Sequence, residues 1–215
     1  MPIITISRQF ASGGSDIARL VAERLGWQVV DNEFVDRVAE QAGLTPGEVA
    51  EREERVPGLA ERLARALAVS SPEVFVATGE PPEPRFGSEA DLVRATEAVI
   101  NQAVQEGDDL IMVGRGAQAH LAEHENTLHV YIVAPHDLRV RAAMERLGVD
   151  RKAAEDAVDK TDANRRRYVK AHYDRRWDDP AAYHLVLNTA AFGYEQCAEL
   201  IAQAARARGW CDETT

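Results

Sequence analysis

"ISRQFASGGSDIA", residues 6–18, follows directly on the apolar run Pro2-Ile3-Ile4-Thr5-Ile6. A β-branched run that breaks into a Gly/Ser turn and then into helical spacing has the layout of a strand, a phosphate-binding loop and a helix. Successive backbone N–H groups in such a turn, followed by a helix N-terminus, form a concave anion site. Gly13-Gly14 supplies backbone freedom, and Ser15 a hydroxyl that can cap the helix or approach a metal. Against the pattern G-x-x-x-x-G-K-[ST], Gly13 and Ser15 match the second glycine and the hydroxyl, while Arg8 takes the place of the first glycine and Gly14 that of the lysine. On these residues alone, a bare strand-to-helix turn explains "SGGS" about as well.

Composition narrows the classes. The chain has 215 residues, 45% apolar and 28% charged, enough for one substantial domain with a real core. No apolar run approaches the ~20 residues of a membrane span, and the N-terminus lacks the layout of a signal peptide. Cys197 and Cys211 are too few for a disulfide framework and read as buried or idle thiols. The expected location is the cytoplasm. A net charge of −11 argues against a nucleic-acid partner, which needs a basic face. Residues 164–176, "NRRRYVKAHYDRR", nevertheless hold six Lys/Arg against one acid. Such a patch suits a small polyanion, or else is a solvated helix face.

Five near-continuous apolar runs, 3–7, 27–31, 110–114, 128–134 and 184–188, read as strands buried on both faces. Helical spacing between them, at 16–25, 33–42, 89–106, 136–147 and 194–208, predicts an α/β fold, a parallel sheet covered by helices on both sides. Ligands of such sheets bind beyond the carboxyl ends of the strands. The long gap holds a helical stretch at 58–69 and a proline-rich loop, "GEPPEPRFG", at 79–87. We read 46–90 as a substrate-side insertion within a single domain, 1–215, and leave open a homodimer through 89–106.

The wider pattern resembles the cytidylate kinase-like family, a divergent branch of the P-loop nucleoside monophosphate kinases. The resemblance runs through "ITISRQFASGGSDIARLVAERLGWQVVD", "VGRGAQAHL", "HVYIVAP" and "DKTDANRRRYVKAHYDRRWDDPAAYHLVLNT". It implies a P-loop kinase-type three-layer sandwich with an arginine-rich lid at 150–180, using ATP and Mg2+. The family's "DGPSGAGKGT" lies over residues 7–16, which assigns Ser12, Gly13, Gly14, Ser15 and Asp16 to the nucleotide, with Ser15 facing the metal. Arg8 is then the cation nearest the position of the missing lysine. "VVDNEFVDR" resembles "LLDSGAIYR", which makes Asp31, Asn32 and Arg37 acceptor-site residues. "VGRGA" resembles "DGRD", so Arg115 matches an acceptor-site arginine, while Gly116 and Val113 replace acids and leave cytosine selection unsupported. "RDDRDRNR" lies over residues 158–165, matching Asp162, Asn164 and Arg165, with Arg166 and Arg167 able to share the lid's role. Three consecutive helical residues point ~100° apart, so no more than two of these arginines face one site. Asn188-Thr189 falls where the adenine ring packs in the superfamily. Asp178-Asp179-Pro180 reads as a turn with a capping acid, the alternative being that its acids orient Arg175 or Arg176.

Two functions follow. One is a small-molecule kinase that transfers the γ-phosphoryl group of ATP to a nucleoside monophosphate, cytidylate-like, or to a related small acceptor. The other is a nucleotide-binding protein whose degenerate loop transfers little or nothing, because the lost lysine would have neutralised the β- and γ-phosphates. No histidine or cysteine cluster has metal-ligand spacing, and the scattered histidines read as packing or surface residues.

Overall fold

A computed structural model describes residues 2–31, 97, 101, 109–114 and 116–211. The stretches expected at 33–42, 46–90 and, apart from helical Glu97 and Asn101, 89–106 lie outside the described residues, as do Asn32, Arg37 and Arg115. The chain divides into two compact units, Met1–Val29 with Asp109–Thr215, and Val30–Asp108. No helix among the described residues is long and apolar enough to cross a membrane.

All five expected strands form: β1 (Ile3–Arg8), β2 (Gln28–Asp31), β3 (Leu110–Val113), β4 (Thr127–Val133) and β5 (Leu185–Asn188). They make one parallel sheet in the order β2-β3-β1-β4-β5. β1 lies at its centre, with Ile6 level with Val113 of β3 on one side and Val130 of β4 on the other. β2 and β3 lie on one side of β1 and β4 and β5 on the other, so the order reverses at β1 and its carboxyl end is the switch point at which α/β sheets take ligands. β1 and β3 are buried along their whole length, as their unbroken apolar runs require. β5 departs from that expectation. As the edge strand it leaves Val186 exposed.

Among the described residues five α-helices have full ranges: α1 (Gly14–Leu25), α2 (Ala117–His120), α3 (His136–Leu147), α4 (Arg151–Tyr173) and α5 (Thr189–Ala207). α1 begins at Gly14, inside the Gly-Gly pair and two residues before the expected start at 16, and buries Ile17, Ala18 and Val21. Its end is set by Gly26 in the left-handed conformation, whose N–H returns to Ala22. α5 is interrupted at Gly193, where φ 67 and ψ 175 break the helix. The expected start at 194 is therefore the second segment, and the first turn grows from Asn188, whose side chain accepts from Ala190 N–H at 3.0 Å. α4 is a single 23-residue helix capped by Asp150, whose carboxylate accepts from Ala153 N–H. Its buried positions, Ala154, Val158, Asp162 and Val169, form one stripe with a carboxylate in the middle.

The main core gathers Ile4, Ile6, Ile17, Val21, Ile111, Val130 and Ile201, with Cys197 buried among them. A second cluster is smaller and more informative: Phe10, from the loop after β1, packs with Val140 and Ala143 of α3 and Ala154 and Val158 of α4. The opening loop is thus pinned by an aromatic side chain to α3 and α4.

His129, in β4, is buried between two hydroxyls. Thr127 Oγ1 donates to the His124 carbonyl, so it accepts from His129 Nε2 at 3.1 Å, and His129 Nδ1 accepts from Thr5 Oγ1 at 2.7 Å. Burial first, then the stacked His184, pushes the imidazole down from 6.5 to about 4. Because the folded value lies below the unfolded one, the unfolded chain takes up this proton first as pH falls. Stability is expected to drop by up to about 3 kcal/mol between about pH 6.5 and 4 and to level off below that. Urea melts of the protein and of His129→Gln across this range check it: the variant should lose that part of the slope, and parallel curves would contradict the assignment.

Candidate functional site

The loop after β1 is held from within. Gln9 N–H bonds to the Ile132 carbonyl at 3.0 Å, and Gln9 Oε1 accepts from Ala134 N–H at 3.0 Å. Ser12 is buried, its hydroxyl donating to the Gln9 carbonyl at 2.8 Å, with Ile132 O at 3.3 Å, and its N–H also turned to Gln9. Ser12 therefore shapes the loop through its side chain. Ala11 (φ 59) and Gly13 (φ 85) are both left-handed, a backbone alternation of the kind that builds anion-binding nests. A left-handed alanine carries a cost of about 1–2 kcal/mol, a strain concentrated at this loop. Ser15 and Asp16 stand on the first turn of α1, where the helix dipole favours an anion.

Arg8 decides how this loop works. Its side chain is only 4% exposed. A Cβ on Gly14 would fall 2.5 Å from Arg8 Cβ and 2.7 Å from its Cγ, so the arginine stem occupies the room that a side chain at position 14 would need. A Cβ on Gly114, at the end of β3, would overlap Arg8 Nη1 and lie 3.1 Å from Cζ. The guanidinium thus runs from β1, across the start of α1, to the carboxyl end of β3. The two departures from the phosphate-loop pattern are one arrangement: an arginine at the first glycine's place requires a glycine at the lysine's place.

The residues expected to form a lid separate. Asp162, 3% exposed, accepts from Phe10 N–H at 2.8 Å, from Arg139 Nη1 at 2.7 Å and from Arg165 Nη1 at 3.3 Å. Arg165 also donates to the Arg8 carbonyl at 2.8 Å. Arg166 is exposed, pairs with Asp178 at 3.1 Å and lies over the Trp177 ring. Arg167 donates to Asn164 at 2.7 Å. One of the three consecutive arginines, Arg165, therefore reaches the loop. The basic segment is largely compensated, since Lys170 pairs with Asp174 and Arg175 with Glu123. In the Asp178-Asp179-Pro180 turn, Asp179 caps the short 3-10 turn while Asp178 serves Arg166, with Arg176 at 3.9 Å.

Other expected residues take local roles. Asp31 ends β2, and the Asn188 side chain caps α5. At Gly116 a Cβ would fall 2.5 Å from Tyr173 Cε2 and 3.3 Å from Tyr168 Cε1, so tyrosine rings of α4 fill the place of the acid in "DGRD". Sequence reasoning missed Arg139 and Tyr194. Arg139 is the charged residue beside the buried Val140 and Ala143 on α3, a signal present but not read. The Tyr194 ring lies against Gly13, where a Cβ would overlap it, a long-range approach with no local signature. Among the described residues no three His, Cys, Asp or Glu gather as a metal site. A cavity of about 530 Å³ lined by His124, Thr127, His184 and Arg208 lies by the start of β4, level with Ile3 and hence at the opposite end of the sheet from the loop.

A family model described as the cytidylate kinase-like family matches residues 3–191. The chain belongs to the cytidylate kinase-like family. Its fold is that of the P-loop kinases, as in an uncharacterized protein from Eubacterium ventriosum (21% identity, 97% of this chain and 100% of that one, TM-score 0.69). The shikimate kinase of Bacteroides thetaiotaomicron shares the architecture more distantly (12% identity, 95% and 98% covered, TM-score 0.51). A curated protein of Corynebacterium glutamicum named uronate isomerase is 28% identical over 118 residues, 55% of this chain. The chain spans about a fifth, 22%, of that protein's length.

If Arg8 fills the space beside Gly114 in this kinase-like fold, Gly114→Ala must lose stability through both the overlap and the positive φ of 80. The φ of 80 sets an expected cost of about 1–2 kcal/mol by urea unfolding, and the guanidinium end of Arg8 must also turn aside. Measured against the Arg8→Ala single variant, the same change should cost only the backbone strain, about 1 kcal/mol. A Gly114→Ala protein within about 0.5 kcal/mol of the parent would contradict the packing described.

Proposed function

We propose that the protein is a phosphotransferase that moves the γ-phosphoryl group of ATP to a small acceptor, a nucleoside monophosphate or a related metabolite. The reading is carried by one observation: the buried Arg8 side chain runs from β1 across Gly14 to Gly114, through the space of the missing lysine. A guanidinium is always charged and offers a planar fork of donors suited to phosphate oxygens. Arg8 then neutralises charge on the β- and γ-phosphates while the N–H groups at the start of α1 bind them. An acceptor oxygen attacks the γ-phosphorus as its bond to the β–γ bridging oxygen breaks, and ADP leaves. Such transfer depends on position and charge neutralisation more than on covalent chemistry by the protein.

For Mg2+, the described residues offer the Ser15 hydroxyl and the Asp16 carboxylate from the first turn of α1. This small donor set fits an ion that keeps several waters and takes its other ligands from phosphates. Asp31, Asn32, Arg37 and Arg115 remain the acceptor-side residues of this proposal, Gly13 and Asn188 lie on the nucleotide side, and Arg166 is a lid cation. The tyrosine rings at Gly116 argue against cytosine selection by a side chain there, so the acceptor need not be cytidylate. The location we propose is the cytoplasm, where ATP is held.

A coupled ATP-consumption assay across the nucleoside monophosphates and small hydroxy acids tests the reading, alongside calorimetry with ATP and Mg2+. Arg8→Ala should abolish turnover and weaken ATP binding at least tenfold, and Arg8→Lys should retain part of both. ATP binding by the parent with no consumption for any acceptor would favour a binding protein with a degenerate loop. Turnover unchanged in Arg8→Ala would sink the role given to Arg8.

A further inference from the structure

Three side chains outside the loop converge on its main chain. Arg139, 6% exposed on the first turn of α3, donates from Nε to the Ala134 carbonyl at 3.1 Å and from Nη1 to Asp162 Oδ2 at 2.7 Å, with the Phe10 carbonyl at 3.4 Å. Asp162, from α4, uses its other oxygen for Phe10 N–H at 2.8 Å and Arg165 Nη1 at 3.3 Å. Arg165, one turn further along α4, donates to the carbonyl of Arg8 itself at 2.8 Å. The N–H and C=O of Phe10 and the C=O of Arg8 therefore all end on Arg139, Asp162 and Arg165.

We infer that Arg139, Asp162 and Arg165 are positioning residues that fix the backbone from which the Arg8 side chain extends, and so couple the lid helix to the phosphate loop. The physical need is clear. Arg8 has a long, rotamer-rich side chain whose loss of freedom is costly unless its base is held. A guanidinium also binds phosphate well only when its fork is pre-organised. A bare buried ion pair would account for the Arg139–Asp162 contact. It would not account for the Asp162 bond to Phe10 N–H or the Arg165 bond to the Arg8 carbonyl. Movement of α4 must then be felt at Arg8, so closure over a bound nucleotide and placement of the Arg8 charge become one event. The inference rests on Arg8 as the phosphate cation only for its functional consequence, because the clamp itself is a statement about the loop.

Arg165→Met and Arg165→Lys, on the less buried arm, separate the alternatives, with Asp162→Asn as a second probe. Amide hydrogen exchange at residues 9–12 is read together with ATP–Mg2+ affinity by calorimetry and the melting temperature. Arg165→Met is expected to melt within a few degrees of the parent, to exchange at least tenfold faster at residues 9–12 with β1 and β4 unchanged, and to bind ATP at least tenfold more weakly. Arg165→Lys, whose ammonium can still reach the Arg8 carbonyl, should bring both readouts back to within about threefold. Asp162→Asn keeps an acceptor for Phe10 N–H and should affect exchange less than Arg165→Met. Weaker ATP binding with unchanged exchange would overturn the inference, making Arg165 a direct phosphate ligand, and so would unchanged exchange and affinity together. A parent protein that binds no ATP defeats the phosphate reading, while the exchange arm still decides the clamp.

Discussion

The burial of the Arg8 side chain between Gly14 and Gly114 is the constraint on which the rest of the site depends. It explains Gly14, where any side chain would meet the arginine stem, while Gly114 lies against the guanidinium end and is fixed as glycine by its φ of 80. It also explains why Phe10, Gln9 and Ser12 are so heavily tied, since a buried guanidinium needs a fixed backbone beneath it. The left-handed Ala11 adds strain in the same few residues. Strain, burial and a sterically enforced glycine are thus concentrated at the carboxyl end of the central strand, the end at which α/β sheets take ligands.

The charge along α4 acquires a different meaning in the folded chain. In sequence, 164–176 is a dense cationic run; in the structure most of its members face acids across the surface, at distances typical of exposed pairs worth about 0–1 kcal/mol each. The cations with consequence are those with little exposure, Arg8, Arg139 and Arg165. Only the first lies in the opening motif. The protein directs a few guanidinium groups inward, two of them onto Asp162, and pairs the exposed ones with surface acids.

Most of the fold was legible because its signals are local. The five apolar runs became the five strands, and α3 took its expected bounds at His136–Leu147. What was not legible is long-range. Asp162 was singled out as a lid residue by resemblance, yet its place on the buried stripe with Ala154, Val158 and Val169 already hinted at an inward role. Arg139 was passed over because a lone arginine beside an apolar stripe is usually solvated through a flexible stem. Here it meets a carboxylate 23 residues away. Tyr194 over Gly13 depends on the kink at Gly193, which periodicity cannot show. The exposure of Val186 follows from β5 being the sheet edge, a matter of topology rather than composition.

The central claim is that Arg8 and Gly14 exchange the places of a glycine and a lysine, so that one cation is delivered from a different point of the same loop. A reciprocal variant tests it most directly: Arg8→Gly combined with Gly14→Lys, compared with each single change by ATP–Mg2+ calorimetry. With Arg8 present, a lysine side chain at position 14 has no room, so the Gly14→Lys single variant should lose binding, as should Arg8→Gly. The combined variant should bind within about tenfold of the parent. A combined variant no better than either single one, or a Gly14→Lys protein that binds ATP as the parent does, would contradict the account.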